Sequence, residues 1–228
     1  PVHVVDKATK LETLYDRIHE IRMRFEVLKR DAEIACLKTI SAGEPENAAR
    51  TKLSAELAQL DNDFAFVATC NEGGEFMAPE KQERLKSIAE RTWLRTLDDR
   101  AGISHEEKQR KEHTPAPELP IVEPLLADKP EHVFERQARD RIAEDNPWGF
   151  KMRVPELLYN KGELYNLGIA RGTLAEEERY KINEHIVQTI RMLGELPFPR
   201  HLKAVPEIAG GHHEQMNGKG YPDRKSVV

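Results

Sequence analysis

The sequence predicts an all-α protein. Charged residues make up 33% of its 228 positions and the hydrophobic class 39%, with only 6% aromatic, a balance typical of solvated amphipathic helices rather than a sheet-rich enzyme. Apolar residues recur in steps of three and four over long stretches, and no stretch alternates convincingly at the period of two that a half-buried strand requires. The chain is long enough for one large domain or two small ones, each with a core of its own.

The elements follow in order. Leu11, Leu14, Ile18, Ile21, Phe25, Leu28, Ala32 and Ala35 form a coiled-coil-like seam on one long helix. Gly43 and Pro45 break it, and Leu53, Leu57, Leu60, Phe64 and Val67 resume the spacing, so two antiparallel helices packed along their seams are predicted. Gly73 and Gly74 end that arm. Pro79 suits the first turn of a helix carrying Leu85, Ile88, Ala89 and Trp93. Ser104, with Glu107 three residues on, has the spacing of a capped helix start.

Five prolines between His113 and Glu131 forbid a continuous helix there and predict extended, surface-running chain. "EHVFERQARDRIAED" then reads as a helix that stops before Asn146 and Pro147. "RGTLAEEERYKINEHIVQTIRMLGEL" opens with Thr173 and Glu176 in capping-box spacing and predicts about five helical turns, with Ile182, Ile186, Met192 and Leu193 toward the core. "LPFPRHL" turns the chain into a short helix, "KAVPEIAGGHHE", which runs into a Gly-rich loop.

Composition narrows the function. A net charge of -5, from 35 basic and 40 acidic residues spread along the chain, leaves no electrostatic footprint for duplex nucleic acid. There is no apolar run of membrane-spanning length and no charged-then-apolar leader, so a soluble, cytoplasmic segment is expected. Cys36 and Cys70 read as reduced core thiols, in keeping with that compartment.

The residues able to carry chemistry lie near the end. His185 sits in the predicted long helix; taken alone, a histidine there is more often a satisfied boundary residue than a ligand. His212 and His213 are consecutive, so on a helix their side chains diverge by about 100 degrees and suit two metal ions, or one ion and an orienting role. Glu214 is placed to fix imidazole tautomers, or is a solvated acid. In "NGKGYP", Gly218 and Gly220 give either a flexible turn or close backbone approach to a phosphate, with Lys219 supplying charge, Tyr221 a stacking face and Pro222 a fixed exit.

"HHEQMNGKGYP" resembles the HHExxxGxGYP signature of the HD-GYP proteins, a bacterial branch of the HD superfamily of metal-dependent phosphohydrolases. "GTLAEEERYKINEHIVQTIRML" is similar to that family's stretch before its next histidine ligand, and the likeness is close from Gly172 to Pro222. "PVHVVDKATKLE" resembles the stretch that follows the family's HDxGK motif, and "VPELLYNKGEL" faintly repeats it. The resemblance implies an incomplete HD-type helical bundle: residues 1–12 begin the core, 13–113 are a helical insertion with a coiled-coil-like hairpin, 114–131 a linker, and 132–228 the remainder of the core.

It also implies that His185, His212 and His213 are ligands in a centre of two or three divalent ions, iron or manganese, with Glu214 behind them. The loop Gly218, Lys219, Gly220, Tyr221 and Pro222 would serve substrate or partner GGDEF domains. The implied reaction is metal-activated hydrolysis of cyclic di-GMP in second-messenger signalling. No His-Asp dipeptide occurs in the chain, Asn217 stands where the family has an aspartate, and Val2 where it has an acid. We therefore expect a piece of a longer enzyme, inactive alone, with an uncovered apolar face around Ile182 and Ile186 that promotes association. The alternatives are a non-catalytic helical signalling or dimerisation module, and an HD-family hydrolase of another nucleotide phosphoester.

Overall fold

The computed structural model describes residues 16–142, 146, 149–215 and 220–221. The expected start of the core, 1–12, and the seam positions Leu11 and Leu14 lie outside the described residues. The fold is mainly helical, with only small strand pairs, consistent with an HD-type helical fold. It divides into two compact units, one of Pro1–His132 with Lys161–Thr173, the other of Val133–Asn160 with Leu174–Val228.

In the first unit, α1 (Ile18–Ser41) and α2 (Glu46–Glu72) form the predicted antiparallel hairpin. Ile21 and Phe25 of α1 are buried with Leu60 and Val67 of α2, and Phe25 meets Phe64 edge-on with ring centroids 5.5 Å apart. Toward the tip the seam shifts by one residue, burying Cys36 and exposing Ala35, as a 3.5-residue repeat drifts on a straight helix of about 3.6 residues per turn. Pro79 starts α3 (Pro79–Ala89), which adds Leu85, Ile88 and Ala89 to the same core. α4 (His105–Glu112) is capped as expected, Ser104 Oγ accepting from Glu107 N–H at 3.2 Å.

Several expectations for this region and the next are corrected. Trp93 lies in a strand, β1 (Thr92–Arg95), paired antiparallel with β2 (Ile121–Pro124) in a register that sets Thr92 against Pro124 and Arg95 against Ile121. Four residues are too few for alternation to be read from sequence, so the pairing is set by tertiary context. The proline-rich segment does not run only over the surface, because Leu125 and Leu126, directly after β2, are fully buried in the core. α5 (Glu163–Leu167) completes the unit, its Glu163 buried beneath Arg24.

In the second unit, the helix expected over "EHVFERQARDRIAED" is replaced by a strand, β3 (Val133–Glu135), flanked by single 3₁₀ turns. It pairs antiparallel with β4 (Leu157–Asn160), Phe134 meeting Tyr159 edge-on at 6.0 Å. The buried Arg136 guanidinium donates to the carbonyls of Pro155, Asp140 and Leu157 at 3.0 to 3.1 Å and lies 4.8 Å over the Tyr180 ring. Two of these carbonyls, of Pro155 and Leu157, lie some twenty residues further along the chain, so tertiary contacts override the local helical pattern.

The single five-turn helix is also corrected: α6 (Glu176–Asn183) and α7 (His185–Gly194) run in series, joined at Glu184. The Ile182 carbonyl at the junction is engaged by His185 Nδ1 at 2.6 Å, a side-chain bond that competes with the helical ladder. The start also moves, for Ala175 rather than Thr173 is the cap, and the Glu178 carboxylate accepts from its N–H at 3.0 Å. With the break, the buried stripe becomes Ile186, Val187 and the partly buried Ile190 against Phe150, while Ile182 and Met192, expected inside, are exposed. α8 (Val205–Gly210) is the short helix before the histidine pair.

Candidate metal centre

His185 is the first residue of α7, and the next two residues, Ile186 and Val187, are buried, so the imidazole is carried at the edge of an anchored core. His212 and His213 fall in the turn after α8, not on a helix. The divergence predicted for a helical pair is therefore absent: their rings lie 3.9 Å apart. α8 approaches α7 closely because Gly210 has no side chain; a Cβ there would meet Ile190 Cδ1 at 2.8 Å. Neither Gly210 nor Ile190 was singled out from the sequence, and a glycine pair before the histidines was the only available signal.

One ligand atom from each of His185, His212 and His213 lies within 4.8 Å of the others. His185 Nε2 and His213 Nε2 are 3.2 Å apart. His212 repeats the arrangement of His185, its Nδ1 lying 2.6 Å from the Ala209 carbonyl. A carbonyl only accepts, so both Nδ1 atoms carry a proton, and in the neutral rings each Nε2 is left with a lone pair. This is how metal-binding imidazoles are commonly oriented, the remote N–H held by a carbonyl and the near nitrogen left for the ion.

At His213 the electrostatics favour the neutral form. Desolvation, followed by the neighbouring His212 and His185, pushes its imidazole below its ordinary range. The donor set fits a divalent ion of borderline softness: two cis nitrogens at roughly 2.1 Å from one ion stand about 3.0 to 3.4 Å apart, which brackets the His185 to His213 separation.

Glu214 follows directly, half-buried, its N–H donating to the Gly211 carbonyl at 3.0 Å. Among the described residues, no carboxylate joins the three imidazoles in the converging group. Of the loop expected to serve substrate, Gly220 and Tyr221 return to the histidines, Tyr221 N–H donating to the His213 carbonyl at 3.3 Å. Gly218, Lys219 and Pro222 lie outside the described residues. Among the described residues, no helix is long and apolar enough to cross a membrane.

Residues 120–227 match the family model of the HD domain. No curated protein and no solved structure matches the chain. The HD match begins upstream of Gly172 and takes in all three histidines. HD domains generally bind divalent metals, and the match therefore supports, for residues 120–227, a domain of the HD superfamily of metal-dependent phosphohydrolases.

Proposed function

We propose that His185, His212 and His213 are the imidazole ligands of a divalent-metal centre, holding iron or manganese, in an HD-GYP phosphodiesterase that hydrolyses cyclic di-GMP in second-messenger signalling. The observation that carries the reading is the convergence of three imidazole ligand atoms within 4.8 Å, two of the rings already oriented by Nδ1 bonds to carbonyls. When bound, a divalent ion supplies Lewis acidity and a route to activated water for attack on phosphorus. The chain's own part is to hold the imidazoles aimed, Glu214 supporting them, while Lys219 offers a cation to a phosphate oxygen. Because the His-Asp pair is missing from the 228 residues, the proposal includes that this chain alone turns over little or no substrate. It also includes that the helical region 13–113 is an insertion, with 132–228 belonging to the phosphohydrolase core.

The test is hydrolysis of cyclic di-GMP by the full-length protein loaded anaerobically with iron(II) or manganese(II), beside His212→Ala and His213→Ala. Turnover that disappears in both variants supports the reading. Bound metal without turnover redirects the search to another nucleotide phosphoester. No bound metal overturns it.

A second reading has its own observation. Met23, Ile34 and Leu37 of α1 are 63%, 48% and 60% exposed, an apolar series on the hairpin arm that suits self-association or a partner helix. Sedimentation across a concentration series distinguishes a hairpin that associates from one that is only internally packed.

A further inference from the structure

We infer that Tyr221 is a positioning residue that holds the His213 imidazole in its ligand orientation, and that Gly220 is what allows it to reach that ring. The inference rests on the metal-centre reading and adds a part to it. His185 and His212 are each oriented by Nδ1 donating to a carbonyl three residues back. Among the described residues, His213 Nδ1 has no such carbonyl partner. Rotation about the Cβ to Cγ bond of histidine is broad and roughly two-fold, so an imidazole without that bond can turn its Nε2 away from a site.

Tyr221 supplies the missing restraint by packing. Its ring stacks on the His213 ring at a centroid distance of 4.6 Å with an interplanar angle of 18°, whereas His185 meets the same ring edge-on at 89°. The phenol ring is itself fixed, since it packs against the buried cluster of Phe150, Ile186 and Val187. His213 is thus tied through Tyr221 to the same core that anchors His185 at the start of α7.

Gly220 makes this geometry possible. A Cβ at position 220 would run into the backbone of Glu214, into Gln215 N at 2.5 Å and into the His213 carbonyl at 2.6 Å. Those atoms belong to the histidine turn itself and cannot swing aside as a side-chain tip can. The Gly-Tyr pair therefore acts within the metal centre: glycine lets the returning chain lie against the histidine turn, and tyrosine covers the ligand ring.

The test uses cobalt(II) alone, titrated into the full chain and followed by its visible absorption, with histidine ring resonances recorded by NMR before metal is added. Tyr221→Phe keeps the stacked ring, and Tyr221→Leu keeps apolar packing without it. Tyr221→Phe is expected to bind cobalt within about twofold of wild type and to keep the ring-current shift of His213. Tyr221→Leu is expected to lose that shift and to bind about tenfold or more weakly, the range for outer groups that orient ligands. Wild-type affinity in Tyr221→Leu overturns the positioning role while leaving the metal centre standing. Absence of cobalt binding by the wild-type chain overturns the metal centre and the positioning role together.

Discussion

The Nε2 atoms of His185 and His213 face each other across 3.2 Å. His185 has its Nδ1 proton committed to the Ile182 carbonyl, so in the neutral ring its Nε2 is an acceptor, either from His213 or toward a cation placed between them. His185→Ala, His212→Ala and His213→Ala are each expected to weaken cobalt(II) binding by at least about tenfold. The rings stand at the surface or half-buried, so thermal unfolding of the metal-free chain is expected to change by no more than about 0.5 kcal/mol. Calorimetric titration beside a melting curve reads both quantities, and equal affinity in all three variants would remove the histidines from the site.

Two glycines near the centre make opposite predictions. At Gly210 an added methyl meets the Cδ1 and Cγ1 of Ile190, the outer part of a flexible side chain, and a rotamer change can relieve the contact. At Gly220 it meets the backbone of residues 213–215. Gly210→Ala is expected to keep cobalt affinity within about threefold, at a stability cost of about 1 kcal/mol. Gly220→Ala is expected to lose most of its affinity, because the turn bearing His213 must move. A reversal of that order in a cobalt titration would show that the histidine turn is adaptable and that helix spacing is the tighter constraint.

How far the sequence reveals this structure depends on how local each determinant is. The seam through Ile21, Phe25, Leu60 and Val67 and the cap at Ser104 are local patterns, and the structure realises both. The strands β1 to β4 have three or four residues each and are stabilised by partners that lie further along the chain, so no window of sequence contains the information. Val133 and Phe134 look helical in their neighbourhood until Arg136 reaches Pro155 and Leu157.

At the candidate centre the histidines themselves were legible through their motif, but their convergence was not. Consecutive side chains such as those of His212 and His213 diverge on a helix; the helix instead ends at Gly210 and the pair falls in a turn. The stack of Tyr221 on His213 depends on a chain reversal that residue types alone do not specify.

Glu163 carries a prediction about acid stability. Burial opposes its ionisation, but two hydrogen bonds and the charge of Arg24, with help from the Ala127 N–H and Arg17, outweigh burial and hold the carboxyl below its usual range. Arg24 grips both oxygens, at 2.7 and 2.9 Å. A carboxylate with a depressed folded-state pKa contributes stability in full above its unfolded value, about 4.3, and loses it as pH falls through the folded value. Urea unfolding of the wild type is therefore expected to show stability falling below about pH 5, and Glu163→Gln to flatten that slope. At neutral pH the same variant leaves Arg24, in a mostly buried site, with the Glu20 carboxylate and the Leu125 carbonyl as its remaining partners, so the loss is expected to fall below the roughly 3 to 5 kcal/mol of a fully unpaired buried charge. An unchanged acid slope in the variant would assign the effect to other carboxylates.

The last prediction separates backbone conformation from crowding in the first unit. Gly43, in the hairpin turn, has φ of +98° with nothing within 4 Å of an added Cβ. Gly73, just after α2, has φ of +73° and ψ of -176°, and a Cβ there would meet Thr173 Cγ2 at 2.8 Å and the Gly172 carbonyl at 3.0 Å. That approach is held by the Gly172 N–H donating to the Gly74 carbonyl at 2.8 Å and by Met77 N–H donating to Ala170 at 2.9 Å. Gly43→Ala is expected to cost about 1 to 2 kcal/mol, the conformational penalty alone. Gly73→Ala carries the same kind of penalty plus overpacking, a further 1 to 3 kcal/mol or about that. Adding Thr173→Ala removes the Cγ2 contact and should return part of the second amount but none of the first, so a double-mutant cycle measured by urea unfolding isolates the crowding. If Thr173→Ala restores nothing, the rigid element is the Gly172 carbonyl, and the paired backbone at Gly74 and Gly172 sets the limit.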